Sequence, residues 1–248
     1  MKYEDIRIWE KELIISLSDV DFKGHYKLNS IFESMQNEAL HHSNRIGVGF
    51  NKFLSDGQIW VLSWVKIKII EYPVFEERIL LKTWLKEQYK LYTIRDFIFF
   101  NKIDEPIIRA STGWLLLDAK SKRPTRPRNL PETVNFLPKQ SALDEKPRKI
   151  DDKDDLKTIL EKKIYYTDLD LNFHTNNSKY IEIILNTFPL EKHKTKKIKE
   201  MSLYFLSEAK YGDNIKVLSK KEINGSDFIK IMNITTKKQI LRGIINWQ

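Results

Sequence analysis

The run Asp168-Leu-Asp-Leu-Asn-Phe-His-Thr-Asn-Asn177 brings a carboxylate, an amide and an imidazole into one short stretch. In an extended chain, residues two apart face the same way. Asp170, Asn172 and His174 then converge on one side, and Leu171 and Phe173 turn to the core. A helical pattern follows at once. Its first N–H groups lack internal partners and carry a partial positive charge of about half a unit. Such groups can hold the oxyanion of an attacked carbonyl. His174 or a water can carry the proton, with Asn172 orienting either one. The same residue types also cap helices and close turns, so the spacing alone leaves both readings open.

The elements that must position this run occur twice. Asp19, Asp21, His25 and Glu33 match Asp168, Asp170, His174 and Glu182 at one constant offset. Arg109 to Trp114 repeats the spacing of Arg242 to Trp247. A duplicated chain follows from this order. After each Asp-x-Asp segment comes a helical pattern. In the first half Ser30 and Glu33 suit a capping box ahead of an Ile31, Phe32, Met35 and Ala39 stripe. In the second, Asn177 or Ser178 caps a helix bearing Tyr180, Ile181, Ile184 and Leu185, stopped by Asn186, Thr187 and Pro189.

Strand patterns follow each helix. Val65 to Ile69 alternates strictly, as does Ile215 to Leu218. Further β-rich runs cover Ile79 to Leu85, Tyr92 to Phe100, Ser111 to Leu117, Asp227 to Thr235 and Gln239 to Trp247. A helix and a strand meander, given twice, predict an α+β fold with antiparallel sheets. The halves are 1–147 and 148–248. Between them, the Pro- and Arg-rich Lys122 to Arg128 and the charged Asp144 to Lys163 read as exposed connection, with a short helix around Asp154 to Leu160.

Composition removes several classes of function. The chain contains no cysteine, which excludes disulfides, thiolate metal sites and a cysteine nucleophile, and fits a reducing compartment. No apolar run approaches the roughly 20 residues that span a bilayer, and Met1 to Asp5 is charged rather than signal-like. There is no Gly-x-Ser-x-Gly elbow, Walker loop or dinucleotide glycine pattern; Gly47-Val-Gly49 lacks the third glycine. His41 and His42 are adjacent and read as surface. Trp60, Trp64, Trp84, Trp114 and Trp247 read as core rather than a platform for bases. A net charge of +9 favours an acidic partner.

The segment from Asp168 to Asn177 resembles the second-half signature of the acyl–acyl carrier protein thioesterases, the plant plastid enzymes and their bacterial relatives. Ile59-Trp-Val-Leu-Ser-Trp64, Glu71-Tyr-Pro73, Thr83-Trp-Leu85, Arg95-Asp96, Ala110 to Trp114 and Arg126-Pro127 fall in the family's order. Tyr204 to Asp213 is similar to the segment holding its last active-site residue. The resemblance implies a tandem hotdog, two antiparallel sheets each wrapped around a long helix, with an acyl pocket in residues 1–147 and catalysis in 148–248. Carried over residue by residue, it implies a catalytic group of Asp170, Asn172, His174 and Glu208. Glu208 would activate water or attack the thioester directly. Plant members have a cysteine after this glutamate and a plastid-targeting extension. Here Ala209 takes the cysteine's place and the extension is missing, which implies a cytoplasmic enzyme of bacterial type.

The implied reaction releases fatty acid from acyl carrier protein and needs neither cofactor nor metal. The carrier is acidic, and Arg123, Arg126, Arg128 and the Lys192 to Lys199 cluster are candidate contacts for it. Coenzyme A presents the same phosphopantetheine arm and is the alternative donor. A basic nucleic-acid-binding module is the non-enzyme alternative, and it leaves the Asp-Asn-His-Glu set unexplained. Neither nucleic acid nor membrane is an implied partner, and a homodimer stays open. The first half has Lys23 in the place of Asn172 and Tyr72 near that of Glu208, so one active site is expected. Ile31, Phe32 and Met35 are candidate pocket liners.

Overall fold

A computed structural model describes residues 5–127 and 130–248, so Met1 to Glu4 and the candidate contact Arg128 lie outside the described residues. The chain divides into two compact units, Met1–Pro147 and Arg148–Gln248. In the first, the order is β1 (Ile8–Ile14), α1 (Leu28–Arg45), α2 (Phe50–Ser55), β2 (Gln58–Ile69), β3 (Arg78–Tyr89), β4 (Tyr92–Phe100), β5 (Pro106–Asp118) and β6 (Pro124–Thr125). The strands pair antiparallel in the order β1-β3-β4-β5-β2, with β6 beside β5.

The apolar stripe of α1 is the buried one: Ile31, Phe32 and Met35 are all but inaccessible. The capping box is not formed. The helix starts earlier, with Lys27 as N-cap and no side-chain cap, so Ser30 lies buried inside the first turn. The Lys27 N–H donates to Asp19 O at 2.8 Å, and this bond sets the entry of the helix instead. His42 departs from the surface reading. It lies on the inner face of α1, 1% exposed. Arg95 Nη1 donates to its Nδ1 at 2.9 Å, and its Nε2 lies 3.0 Å from Ile6 O.

Alternation in β2 places Val65, Ile67 and Ile69 inward. It turns Lys66 and Lys68 outward, where both reach Glu145, at 2.9 and 2.7 Å. The stretch before the unit boundary is thus strapped down rather than merely exposed. Trp84 Nε1 donates to Gln140 O at 3.1 Å, and the Ala142 N–H donates to the buried Asp96 carboxylate at 2.7 Å.

In the second unit the order is β7 (Lys157–Lys163), α3 (Asn177–Leu185), α4 (Leu190–Thr195), β8 (Ile198–Phe205), β9 (Asn214–Lys221), β10 (Asp227–Asn233) and β11 (Gln239–Trp247). The sheet is again antiparallel, ordered β8-β11-β10-β9-β7. The helix read around Asp154 to Leu160 is absent. The unpaired edge of β9 offers N–H and C=O groups that need partners, and β7 supplies them, overriding local propensity. Each unit is therefore a sheet with a helix entering after its first strand. The second helix is short, nine residues against eighteen, because Thr187 N–H and Oγ1 turn back onto Ile184 O and Pro189 follows.

Candidate active site

The run from Asp168 to Asn177 is not extended, and the inward placement of Leu171 and Phe173 does not hold. They are 86% and 78% exposed. A tight turn replaces the alternation. The Asp170 N–H donates to His174 O at 2.8 Å, and the Phe173 N–H donates to Asp170 O at 3.1 Å. Asp170 Oδ1 accepts the backbone N–H groups of Asn172 and His174, at 2.8 and 3.2 Å. Its carboxylate thus acts as the internal acceptor of the turn. The bend needs φ of 60° at Phe173, a left-handed conformation that is costly for a bulky residue.

The first half makes the same turn from the same parts. Asp21 Oδ1 accepts from the N–H groups of Lys23 and His25, at 2.8 and 3.0 Å. Gly24, with φ of 74°, stands where the second half has Phe173.

His174 meets its partner from another element. Glu208 lies in the loop after β8, joined to this turn by an antiparallel bridge between His174 and Lys210. Glu208 Oε2 is 2.9 Å from His174 Nδ1, with 48% of the glutamate side chain exposed. A carboxylate acceptor keeps a proton on Nδ1 and leaves Nε2 as the basic nitrogen. Of the four sequence candidates, the structure brings His174 and Glu208 together. Asp170 serves the turn, and Asn172 is exposed within it.

At the helix start two of the N–H donors are already engaged. Its N-cap is Asn176, one residue before either candidate, and Asn176 Oδ1 accepts the Ser178 N–H at 3.0 Å. The Lys179 N–H donates to Asn176 O, also at 3.0 Å. Those donors are spent within the cap.

Sequence reading assigned no part in the site to Thr175 or Tyr180. The N–H and Oγ1 of Thr175 both donate to Ala209 O, at 2.8 and 3.0 Å. The Ala209 N–H donates to the Tyr180 hydroxyl at 2.9 Å. Burial pushes the Tyr180 phenol up to about 12, so it keeps its proton. A hydroxyl on an otherwise apolar helical stripe was the available signal, since a buried tyrosine must place its O–H.

The lysine cluster is only partly available to a partner. Lys192 is ion-paired with Asp227 and lies over the Phe188 and Trp247 rings. Lys194 pairs with Glu191 at 2.8 Å. Arg123 and Arg126 are exposed. No helix among the described residues is long and apolar enough to cross a membrane.

The acyl-ACP thioesterase N-terminal domain matches residues 7–132, and the C-terminal domain of the same family matches residues 151–248. The chain belongs to the acyl-ACP thioesterase family. It is 25% identical to a chloroplastic palmitoyl-acyl carrier protein thioesterase of Cuphea hookeriana, over 89% of this chain and 57% of that protein. It is 24% identical to the chloroplastic oleoyl-acyl carrier protein thioesterase 2 of Arabidopsis thaliana, over 99% and 78%. The chain spans little more than half the length of the Cuphea relatives it matches. Among solved structures, an acyl-ACP thioesterase from Bacteroides thetaiotaomicron superposes with a TM-score of 0.90, at 24% identity and 98% coverage of both chains. That likeness establishes the fold as the tandem hotdog of this family.

Proposed function

We propose that the protein hydrolyses fatty acyl–acyl carrier protein thioesters, releasing free fatty acid and holo-carrier, from one site at His174 and Glu208. The observation that carries this reading is the 2.9 Å contact between His174 Nδ1 and Glu208 Oε2. The first half repeats the turn but places Tyr72 opposite His25. Family membership supplies the substrate class, and the +9 charge suits an acidic carrier.

In the reaction, Glu208 accepts the Nδ1–H of His174, and Nε2 takes a proton from water as its oxygen attacks the thioester carbonyl. Collapse of the tetrahedral intermediate breaks the C–S bond, and the imidazolium returns the proton to the departing phosphopantetheine sulfur. Asn172, exposed at the turn, orients the water. Asp170 holds the turn that aims His174. The engagement of Glu208 Oε2 by the imidazole favours water activation over direct attack by the carboxylate. Residues 1–147 form the acyl pocket, lined by Ile31, Phe32 and Met35, and residues 148–248 are the catalytic half. The enzyme acts in the cytoplasm, in keeping with a chain free of cysteine.

The deciding assay follows hydrolysis of carrier-bound and coenzyme A thioesters across acyl chain lengths, with rapid-quench intact mass of the protein. Faster turnover of carrier thioesters without an acyl adduct is the expected result. Preference for coenzyme A would overturn the carrier assignment. An acyl adduct on Glu208 would establish direct attack. A protein inactive on both donors would end the hydrolase reading.

A further inference from the structure

We infer that Tyr180 and Thr175 are positioning residues, which set the His174–Glu208 geometry through hydrogen bonds to the N–H and the C=O of Ala209. The inference rests on the hydrolase reading above and adds to it. The Ala209 N–H donates to the Tyr180 hydroxyl at 2.9 Å, and Thr175 Oγ1–H donates to Ala209 O at 3.0 Å. Tyr180, Thr175 and Ala209 are 1%, 3% and 0% exposed, so water does not compete for these bonds.

These bonds grip the backbone on both sides of the pair. Thr175 follows His174, and the Ala209 N–H belongs to the peptide bond that leaves Glu208. With nearly half of its side chain in solvent, Glu208 is not aimed by packing alone. Its direction is inherited from the Glu208–Ala209 peptide plane, which Tyr180 fixes.

The first half supplies the internal comparison. Tyr26 N–H donates to Pro73 O at 2.8 Å, the counterpart of the Thr175 N–H bond to Ala209 O. The bond that joins the turn to the neighbouring loop is therefore common to both halves. The side-chain bonds are not. Tyr26 stands at the position of Thr175, Ile31 at that of Tyr180, and Pro73 has no N–H to donate. The Tyr26 hydroxyl turns instead to Ser30 O and Ser34 Oγ, at 3.2 and 2.6 Å. A need of the fold alone would fall equally on both halves. These side-chain bonds exist where the carboxylate does.

The test uses the full chain with Tyr180→Phe, Thr175→Val and the conservative Thr175→Ser, on a long-chain acyl–coenzyme A thioester and its carrier-bound form. Turnover should fall about tenfold to a hundredfold in Tyr180→Phe and Thr175→Val, because small misplacements of reacting groups are costly. KM should stay within about twofold, and Thr175→Ser should retain most of kcat. The downfield His174 Nδ1 proton, assigned by its loss in Glu208→Gln, gives a reading that needs no substrate. It should shift or vanish in the first two variants and persist in Thr175→Ser. Wild-type kcat and an unmoved resonance in folded Tyr180→Phe and Thr175→Val would overturn the inference. So would a loss of kcat that only follows the unfolded fraction while the resonance stays in place. If the wild-type protein hydrolyses neither thioester, the hydrolase reading fails, and the resonance still decides whether these bonds set the pair.

Discussion

Glu208 Oε2 stands 2.9 Å from His174 Nδ1 across two loops joined by an antiparallel bridge between His174 and Lys210. The pair is therefore separable from the rest of the fold by substitutions that leave packing alone. Glu208→Gln should lower kcat at least about a hundredfold, since it removes the charge that holds and supports the imidazole, with the unfolding midpoint little changed. Activity close to wild type in that variant takes Glu208 out of the mechanism.

The two halves should differ in what their histidines do. His174→Ala and Asn172→Ala should abolish turnover, whereas His25→Ala should act on stability or KM. Steady-state kinetics on folded variants checks this. Equal loss of kcat for His25 and His174 would mean two sites.

His42 makes the stability of the first unit depend on pH. Burial first, then the charge of Arg95, depresses its imidazole to about 4 from an ordinary 6.5, and Arg45 adds to the repulsion. Between those values the unfolded chain binds a proton that the folded chain refuses, so stability is greatest above pH 6.5 and falls as pH drops towards 4. The full effect is of the order of 3 kcal/mol. Urea titrations of wild type and His42→Gln across this window should differ by that slope, and parallel curves would show that His42 does not titrate with unfolding.

The paired turns predict opposite responses to a side chain. Gly24 has φ of 74°, and a Cβ placed there meets nothing within 4 Å, so Gly24→Ala incurs only backbone strain. It should cost about 1 kcal/mol, or a fall of roughly 2–4 °C in Tm. Phe173→Gly removes an exposed ring from a left-handed position and should not lower Tm. Calorimetry on the two variants decides it.

If an acidic carrier docks on exposed basic residues, salt should screen it. The Debye length falls from about 30 Å at 0.01 M to about 8 Å at 0.15 M ionic strength. KM for carrier thioesters should rise steeply over that range while kcat holds. Arg123→Glu, Arg126→Glu and Arg128→Glu together should reproduce the rise at low salt, and coenzyme A thioesters should respond less. A salt-independent KM would remove the charged docking.

The sequence by itself determined the duplication, the main helix of each half with most of the strands that follow it, and the family. These are written in local patterns: the Asp-x-Asp repeat, the Ile31 to Ala39 stripe and the alternation from Val65 to Ile69 each depend on near neighbours along the chain. It also named His174 and Glu208, although their pairing crosses from one turn to a loop on another element. What only the tertiary structure decided are the contacts whose partners are remote. Edge pairing with β9 made a strand of Lys157–Lys163, overlapping the helix read around Asp154 to Leu160. Backbone bonding to Asp170 Oδ1 bent the run around Phe173, putting Leu171 and Phe173 in solvent although their types suggested core. His42, beside a surface histidine in sequence, is inside because Arg95 on β4 and Ile6 O supply both of its hydrogen bonds. Thr175 and Tyr180 acquire a part in the site only when the loop carrying Ala209 is brought against them. A hydroxyl shows in the sequence, but the peptide it holds does not, because hydrogen bonds to distant backbone depend on topology rather than on residue spacing.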